Sequence, residues 1–242
     1  MSGAPEPRWP HAIVFDLDGT LADTKGDIAA ACNHALVTLG RAPLGVEEIA
    51  AFVGDGARKL VSRSFGVADM DPLLDRAVAS FSAYYETHAA VHARWMPGAE
   101  DALQACAGLP LAIVTNKPRS ATLPLLEALG MKRRFRVVVA GGDGPLKPDP
   151  RAIRAALEPL GADPRDAWVI GDGPQDIAAG RAAGAFTLGV LGGFAKESAL
   201  RAAGPHRVLG SLHELPALLQ RAALAGPRDA VTSPRGAGRA VG

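Results

Sequence analysis

This 242-residue chain predicts an α/β fold, a mostly parallel sheet covered by helices on both faces and interrupted early by an all-helical insert. Three observations carry that expectation. Short apolar runs alternate with helical patterns at Ala12 to Phe15, Leu111 to Val114, Val137 to Ala140, Ala167 to Ile170 and Phe186 to Val190, as a series of βα units requires. Between positions 21 and 95 no continuous strand-like run occurs, and apolar residues recur at helical spacing. Hydrophobic residues make up 48% of the chain, enough to fill a sizeable interior.

Residues 1–10 carry no apolar signal segment and are expected to be flexible, and the first strand follows at Ala12 to Phe15. It runs into Asp16-Leu17-Asp18-Gly19-Thr20, where glycine lets the chain turn without a Cβ penalty. Positions 21–95 form the insert, with helical patterns through Ile28 to Leu39, Ile49 to Val53 and Leu73 to Tyr85. Planted directly after Asp18, such a module is a lid that excludes water and selects substrate. Met96-Pro97-Gly98 marks the return to the core, before a helix over Ala99 to Ala107. The core therefore comprises positions 11–20 and 96–223. The Gly-, Pro-, Ala- and Arg-rich residues from 224 to 242 read as a disordered tail.

Composition excludes several classes of function. With 26 basic against 25 acidic residues and a net charge of +1, and with no basic stripe interleaved with aromatics, a nucleic-acid partner is not expected. No run of eighteen apolar residues exists to cross a membrane. Cys32 and Cys106, each in an Ala-rich stretch, suit a reducing compartment, so a cytoplasmic location is expected.

Side chains alternate along a strand, so Asp16 and Asp18 can both face one bound group while Leu17 packs the other way. One carboxylate can attack while the other handles a proton, and Thr20 can offer a hydroxyl to an anion. Asp-x-Asp-Gly is also an ordinary turn sequence, so the remaining strand ends must decide. Leu111 to Val114 delivers Thr115-Asn116 to the same sheet edge, where a hydroxyl and backbone N–H groups suit a phosphate oxygen. Lys147 lies in a loop with three prolines, Pro145, Pro148 and Pro150, that would pin its base. Ala167 to Ile170 leads into Gly171-Asp172-Gly173-Pro174-Gln175-Asp176, two acids across the opening of a helix starting near Pro174. Capping of that helix is the competing role for Asp172 and Asp176. Four acids around one lysine repel one another unless a cation joins them, and hard carboxylate oxygens suit Mg2+.

The ordered series Asp16-x-Asp18-Gly19-Thr20, Thr115-Asn116, Lys147-Pro148 and Gly171-Asp172-x-x-x-Asp176 resembles the haloacid dehalogenase superfamily, in its phosphatase branch, over roughly residues 11–223. The resemblance implies a Rossmann-like parallel sheet core with an inserted all-helical cap. It implies that Asp16 is the nucleophile, Asp18 the general acid and then base, Thr115 a phosphate ligand and Lys147 a stabiliser of charge. Magnesium would be held by Asp16, the backbone carbonyl of Asp18, and Asp172, with Asp176 acting directly or through water. Dehalogenase members lack the carboxylate at the position of Asp18, which favours phosphate chemistry. Gly173 departs from the pattern, since many members have Ser there.

Val53-Gly54-Asp55-Gly56-Ala57-Arg58, together with Tyr84-Tyr85 and Pro97-Gly98, is similar to the corresponding segments of bacterial phosphoglycolate phosphatases. The expected activity is Mg2+-dependent hydrolysis of a small phosphorylated metabolite through an aspartyl-phosphate, most simply 2-phosphoglycolate. Thr20 and Asn116 are expected to bind the substrate, with Gly54, Gly56 and Arg58 selecting it, Arg58 by gripping a carboxylate in two places. Sugar-phosphate phosphatase, pyrophosphatase and phosphosugar mutase use the same scaffold. A silent phospholigand-binding protein lacks support, since all the proposed catalytic residues are present. Monomer and homodimer are equally compatible with the cap helices.

Overall fold

Strand β1 (Ala12–Phe15) is four consecutive apolar residues, all buried, which is how a strand reads when both faces of its sheet are covered. The computed structural model describes residues 7–225, so residues 1–6 and the tail beyond 225 lie outside the described residues. The described part of the N-terminal stretch is anchored, contrary to expectation. Pro7 and Pro10 are buried, and the Arg8 carbonyl accepts a hydrogen bond from the Trp168 indole at 3.1 Å.

After β1 come the two-residue β2 (Ala22–Asp23), then α1 (Lys25–Thr38), α2 (Val46–Ala50), α3 (Ala57–Phe65) and α4 (Pro72–His88) of the insert, and β3 (Arg94–Trp95). The core resumes with α5 (Ala99–Ala105), β4 (Leu111–Pro118), α6 (Arg119–Ala128), β5 (Val137–Gly141), α7 (Pro150–Leu157), β6 (Ala167–Gly171) and α8 (Pro174–Ala183). It ends with β7 (Phe186–Val190), α9 (Glu197–Ala202), β8 (Arg207–Leu209) and α10 (Leu215–Leu224).

Six strands form one parallel sheet in the order β5-β4-β1-β6-β7-β8. β1 sits between β4 and β6, pairing Phe15 with Ile113 on one side and with Ile170 on the other. The motifs that follow β1, β4 and β6 therefore leave the same C-terminal edge side by side, where ligands bind in open α/β sheets. Successive residues of β1 feed opposite faces. Ile13 and Phe15 pack with Leu103, Leu125 and Leu218, whereas Ala12 and Val14 pack with Ile153, Leu157 and Ala179.

The helical insert has its own core, built from Ile28, Leu36, Ile49, Val61, Leu74 and Phe81. Its two ends meet in the antiparallel pair β2 and β3, tied by an ion pair of Asp23 with Arg94 at 2.9 Å. Asp27, at the start of α1, accepts from the His92 N–H at 2.8 Å and links the same two connections again. Three expectations fall short of the structure. β8 adds an edge strand, α3 adds a fourth insert helix, and α10 reaches Leu224, into the stretch read as tail. Among the described residues no helix is long and apolar enough to cross a membrane. Both cysteines are buried and unpaired, and burial pushes their thiols up to about 12.

Candidate active site

Asp16 leaves β1 with its N–H donating to the Ile170 carbonyl at 2.9 Å, so its backbone is fixed by the neighbouring strand before its side chain does anything. The chain then turns at once. Leu21 and Ala22 both donate to the Leu17 carbonyl at 2.9 Å, and Gly19 takes a positive φ of 85°. A Cβ at Gly19 would lie 2.6 Å from Asp172 Oδ2, so only glycine lets the two motifs approach this closely.

Lys147 is the hub of the buried charge cluster. Its Nζ lies 2.6 Å from Asp16 Oδ1, 2.6 Å from Asp176 Oδ1 and 2.6 Å from the Val114 carbonyl oxygen, and its side chain is 2% exposed. The Asp176 contact is a close ion pair off the hydrogen-bonding direction, since that oxygen has no hydrogen-bond partner. Asp176 Oδ2 meanwhile accepts from the Gly173 N–H at 2.9 Å and caps α8, so the capping and charge roles expected as alternatives coexist.

Asp16, Asp172 and Asp176 bring carboxylate oxygens within 4.8 Å of one another, all buried. Burial, with Asp176 adding repulsion, pushes the Asp16 carboxyl up to about 7 against the pull of Lys147. Burial and the Asp16 charge push Asp172 up to about 6, and burial raises Asp176 as well. Burial alone would lower Lys147, but Asp16 and Asp176 outweigh it and hold its ammonium above the ordinary lysine value. One lysine does not neutralise three buried carboxylates, and an off-axis oxygen on Asp176 marks the shortfall. A hard divalent cation fits this donor set.

The Asp18 carboxylate stands apart from that cluster. Its Oδ1 accepts from the Thr24 hydroxyl at 2.7 Å and from Lys117 Nζ at 3.0 Å. Thr115, 3% exposed, uses its oxygen to accept the Lys117 N–H at 3.1 Å, which leaves the hydroxyl proton for a ligand. Asp16, Asp18, Thr115, Lys147 and Asp172 line one cavity of about 590 Å3 including its mouth, with Gly54, Gly56, Ala57, Phe81 and Tyr85 of the insert facing them.

Three residues expected to touch substrate are placed otherwise. The Thr20 hydroxyl donates to Asp172 Oδ1 at 2.9 Å and accepts the Asp172 N–H at 3.0 Å, so it orients that carboxylate. Asn116 lines the cavity, but its amide is spent on structure. Its Nδ2 donates to the carbonyls of Gly54 at 2.7 Å and Lys147 at 2.9 Å, and its Oδ1 accepts the Lys147 N–H at 2.8 Å. Its side chain thus fastens the insert to the Lys147 loop. Arg58 is outside the cavity. Its guanidinium donates to Asp75 at 2.7 Å and to the Asp69 carbonyl at 2.7 Å on the exposed side of the insert.

Sequence reasoning passed over Lys117, although it lies two residues beyond Thr115 in the same extended segment, the spacing that returns a side chain to one face. Its head group is 1% exposed and also contacts the hydroxyl of Tyr85, a buried insert residue. Gln175 and Phe194 were missed too. The Gln175 amide fills the space beside Gly173 and Gly54 that a Cβ at either would claim, and the Phe194 N–H donates to Asp172 Oδ2 at 2.7 Å. The absence of Ser at position 173 is thus matched by a side chain occupying its place.

Comparison with known proteins agrees with this geometry. The family model for haloacid dehalogenase-like hydrolases matches residues 13–190. A phosphoglycolate phosphatase of Cupriavidus necator is 39% identical over 219 residues, covering 88% of this chain and 95% of that protein. Phosphoglycolate phosphatase 1 of Pseudomonas aeruginosa is 34% identical over 235 residues, covering 93% and 86%. Among solved structures, a predicted phosphoglycolate phosphatase from Haemophilus somnus superposes with a TM-score of 0.80 at 25% identity, covering 87% of this chain and 98% of that one. CbbY from Rhodobacter sphaeroides, solved in complex with phosphate, superposes with a TM-score of 0.70 at 26% identity, covering 87% and 99%. With three quarters of its length inside the family model and its acids and lysines gathered at one sheet edge, this chain belongs to the haloacid dehalogenase-like hydrolases.

Proposed function

We propose that the chain is a Mg2+-dependent phosphomonoester hydrolase whose substrate is 2-phosphoglycolate. The observation that carries the reading is the Asp16 carboxylate, held by Lys147 through Oδ1 at 2.6 Å in a cavity it shares with Asp18 and Thr115. The names of the curated relatives in C. necator and P. aeruginosa and the phosphate held by a structural neighbour support it.

Asp16 attacks phosphorus in line, forming an O–P bond as the ester O–P bond breaks. Asp18 gives its proton to the departing alkoxide, then takes one from the water that cleaves the aspartyl-phosphate, so glycolate and inorganic phosphate leave, the Asp16 carboxylate is restored and Asp18 ends protonated as it began. Lys147 offsets charge on Asp16 and the phosphoryl group, and the Thr115 hydroxyl donates to a phosphoryl oxygen. Asp16, Asp172 and Asp176, with the carbonyl of Asp18, would hold the magnesium, which supplies charge neutralisation at the phosphoryl oxygens. Thr24 and Lys117 orient Asp18, and the insert excludes water during the first step.

A phosphate-release panel of 2-phosphoglycolate, sugar phosphates and pyrophosphate tests the assignment. The highest kcat/KM is expected for 2-phosphoglycolate by at least about tenfold, a discrimination of more than 1.4 kcal/mol. A rearranged sugar phosphate with no free phosphate would instead mark a mutase.

The charge cluster gives a second expectation. Asp16 and Asp172 are held near 7 and 6 in the folded chain against 3.8 ordinarily, so the folded state binds more protons than the unfolded one between those values. Their contribution to stability is therefore full below the ordinary carboxylate range and lost as pH rises through about 7. Metal-free protein should melt lower at pH 8 than at pH 5. Because the ion needs the deprotonated oxygens, Mg2+ at a hundredfold excess over its Kd should raise Tm by about 5–10 °C at pH 8 and far less at pH 5. Equal rises at both pH values in a thermal-shift titration would contradict a carboxylate-built ion site.

A further inference from the structure

Two cationic side chains line the cavity, Lys147 and Lys117. The ammonium of Lys147 hydrogen-bonds Asp16 and the Val114 carbonyl and ion-pairs with Asp176, so its charge is already shared between two buried carboxylates. That of Lys117 has two hydrogen-bond partners, Asp18 Oδ1 and the Tyr85 hydroxyl, and lies 4.5 Å from the centre of the Tyr85 ring. Among the described residues, one N–H of Lys117 has no acceptor. On the insert's side the cavity is lined largely by apolar side chains, among them Ile28, Val53, Leu60 and Phe81. Such a wall offers nothing to the several hydroxyls of a sugar phosphate. Arg58 and Lys25 of the insert do not line the cavity, and they pair with Asp75 and Glu47.

Position completes the case. Asp18 serves the ester oxygen of the substrate, and Lys117 Nζ stands 3.0 Å from the Asp18 carboxylate. A substituent one carbon from that oxygen falls beside Lys117. We propose that Lys117 is the specificity-determining residue of this cavity, its ammonium receiving the carboxylate of a substrate in which one carbon separates the carboxylate from the ester oxygen. This deepens the function proposed above and rests on it for the phosphoryl chemistry. Tyr85 belongs to α4 and Lys117 to β4, so the carboxylate subsite is assembled across the junction of insert and core.

The test compares 2-phosphoglycolate with ethyl phosphate, which puts a methyl group where the carboxylate was. It uses wild type, Lys117→Met and Lys117→Gln, with circular dichroism and thermal melting to establish folding. Both substrates lose rate in the variants because Asp18 loses a partner, so the ratio of the two kcat/KM values is the readout. Wild type should favour 2-phosphoglycolate by at least about 30-fold, and both variants should bring that ratio within a few-fold of unity, with the loss expressed mainly in KM. Lys117→Gln keeps a donor to Asp18 without the charge, and it carries the test alone if Lys117→Met does not fold. If wild type discriminates and a folded variant keeps the same ratio, Lys117 acts only through Asp18 and the assignment is overturned. Wild type that hydrolyses both esters equally well would overturn the phosphoglycolate reading itself and this subsite with it.

Discussion

Asp16→Asn is expected to lower kcat for phosphate release by on the order of 10^4-fold or more while leaving the chain folded. The amide keeps the shape of the carboxylate and can still accept from Lys147 through its oxygen, so packing at the end of β1 changes little. What it removes is the anionic oxygen that the proposed mechanism directs at phosphorus, and no other carboxylate is placed to replace it. Asp18 is turned toward Thr24 and Lys117, and Asp172 is tied through both oxygens to Thr20 and Phe194. The substitution also takes one charge out of a buried cluster in which Asp16 is already pushed up to about 7 by burial. Metal-free Asp16→Asn should therefore lose less stability between pH 5 and pH 8 than wild type. Initial rates by continuous phosphate assay, with intact mass to exclude deamidation, check the expectation. Residual turnover above one percent would mean that phosphorus is attacked by water directly.

The parts of this site that could be read from sequence are those fixed by strand physics. β1, β4 and β6 announce themselves as buried apolar runs, and each ends in a chemical motif whose meaning depends on the others. Their adjacency in the sheet, β4-β1-β6, explains why residues about a hundred positions apart converge. What escaped depends on turns and helix phase. Thr20 follows the sharp turn at Gly19, and the reversal carries its hydroxyl to Asp172 instead of the cavity. Arg58 sits one residue into α3, beside Ala57, which lines the cavity along with Leu60 three residues later. A step of one residue turns a helix by roughly 100°, enough to carry Arg58 toward Asp69 and Asp75. α3 itself was hidden by its charged residues Arg58, Lys59 and Arg63, and β2 and β3, two residues each, are too short for a periodic signal. Lys117 was legible in principle. The alternation that pairs Asp16 with Asp18 also pairs Thr115 with Lys117, but the apolar run stops at Val114, whereas the strand continues to Pro118.

Lys147→Met should damage both activity and folding, and the pH dependence of the two separates their causes. Lys147 is the counter-charge for Asp16 and Asp176, and methionine fills its volume without its charge. Breaking a buried pair by removing one partner strands the other, at a cost of about 3–5 kcal/mol. That cost falls on the ionised carboxylates, so it must depend on whether they are ionised. Asp16 and Asp172 already titrate near 7 and 6 with the lysine in place, and removing a positive neighbour raises Asp16 further. Below pH 5 the acids of the folded variant take up protons and the penalty shrinks; above pH 8 it is fully felt. Urea unfolding of metal-free protein should accordingly show a much larger deficit for Lys147→Met at pH 8 than at pH 5, and added Mg2+ should recover part of it at the higher pH by supplying the missing positive charge. Catalysis should not recover in the same way. The ion would supply positive charge to the cluster as a whole, whereas the lysine holds one defined oxygen of Asp16, and loss of such a preorganised donor costs roughly 10^2 to 10^3 in kcat. A variant whose stability deficit is the same at both pH values would show that Lys147 is held by packing, and that the charge balance drawn here is mistaken.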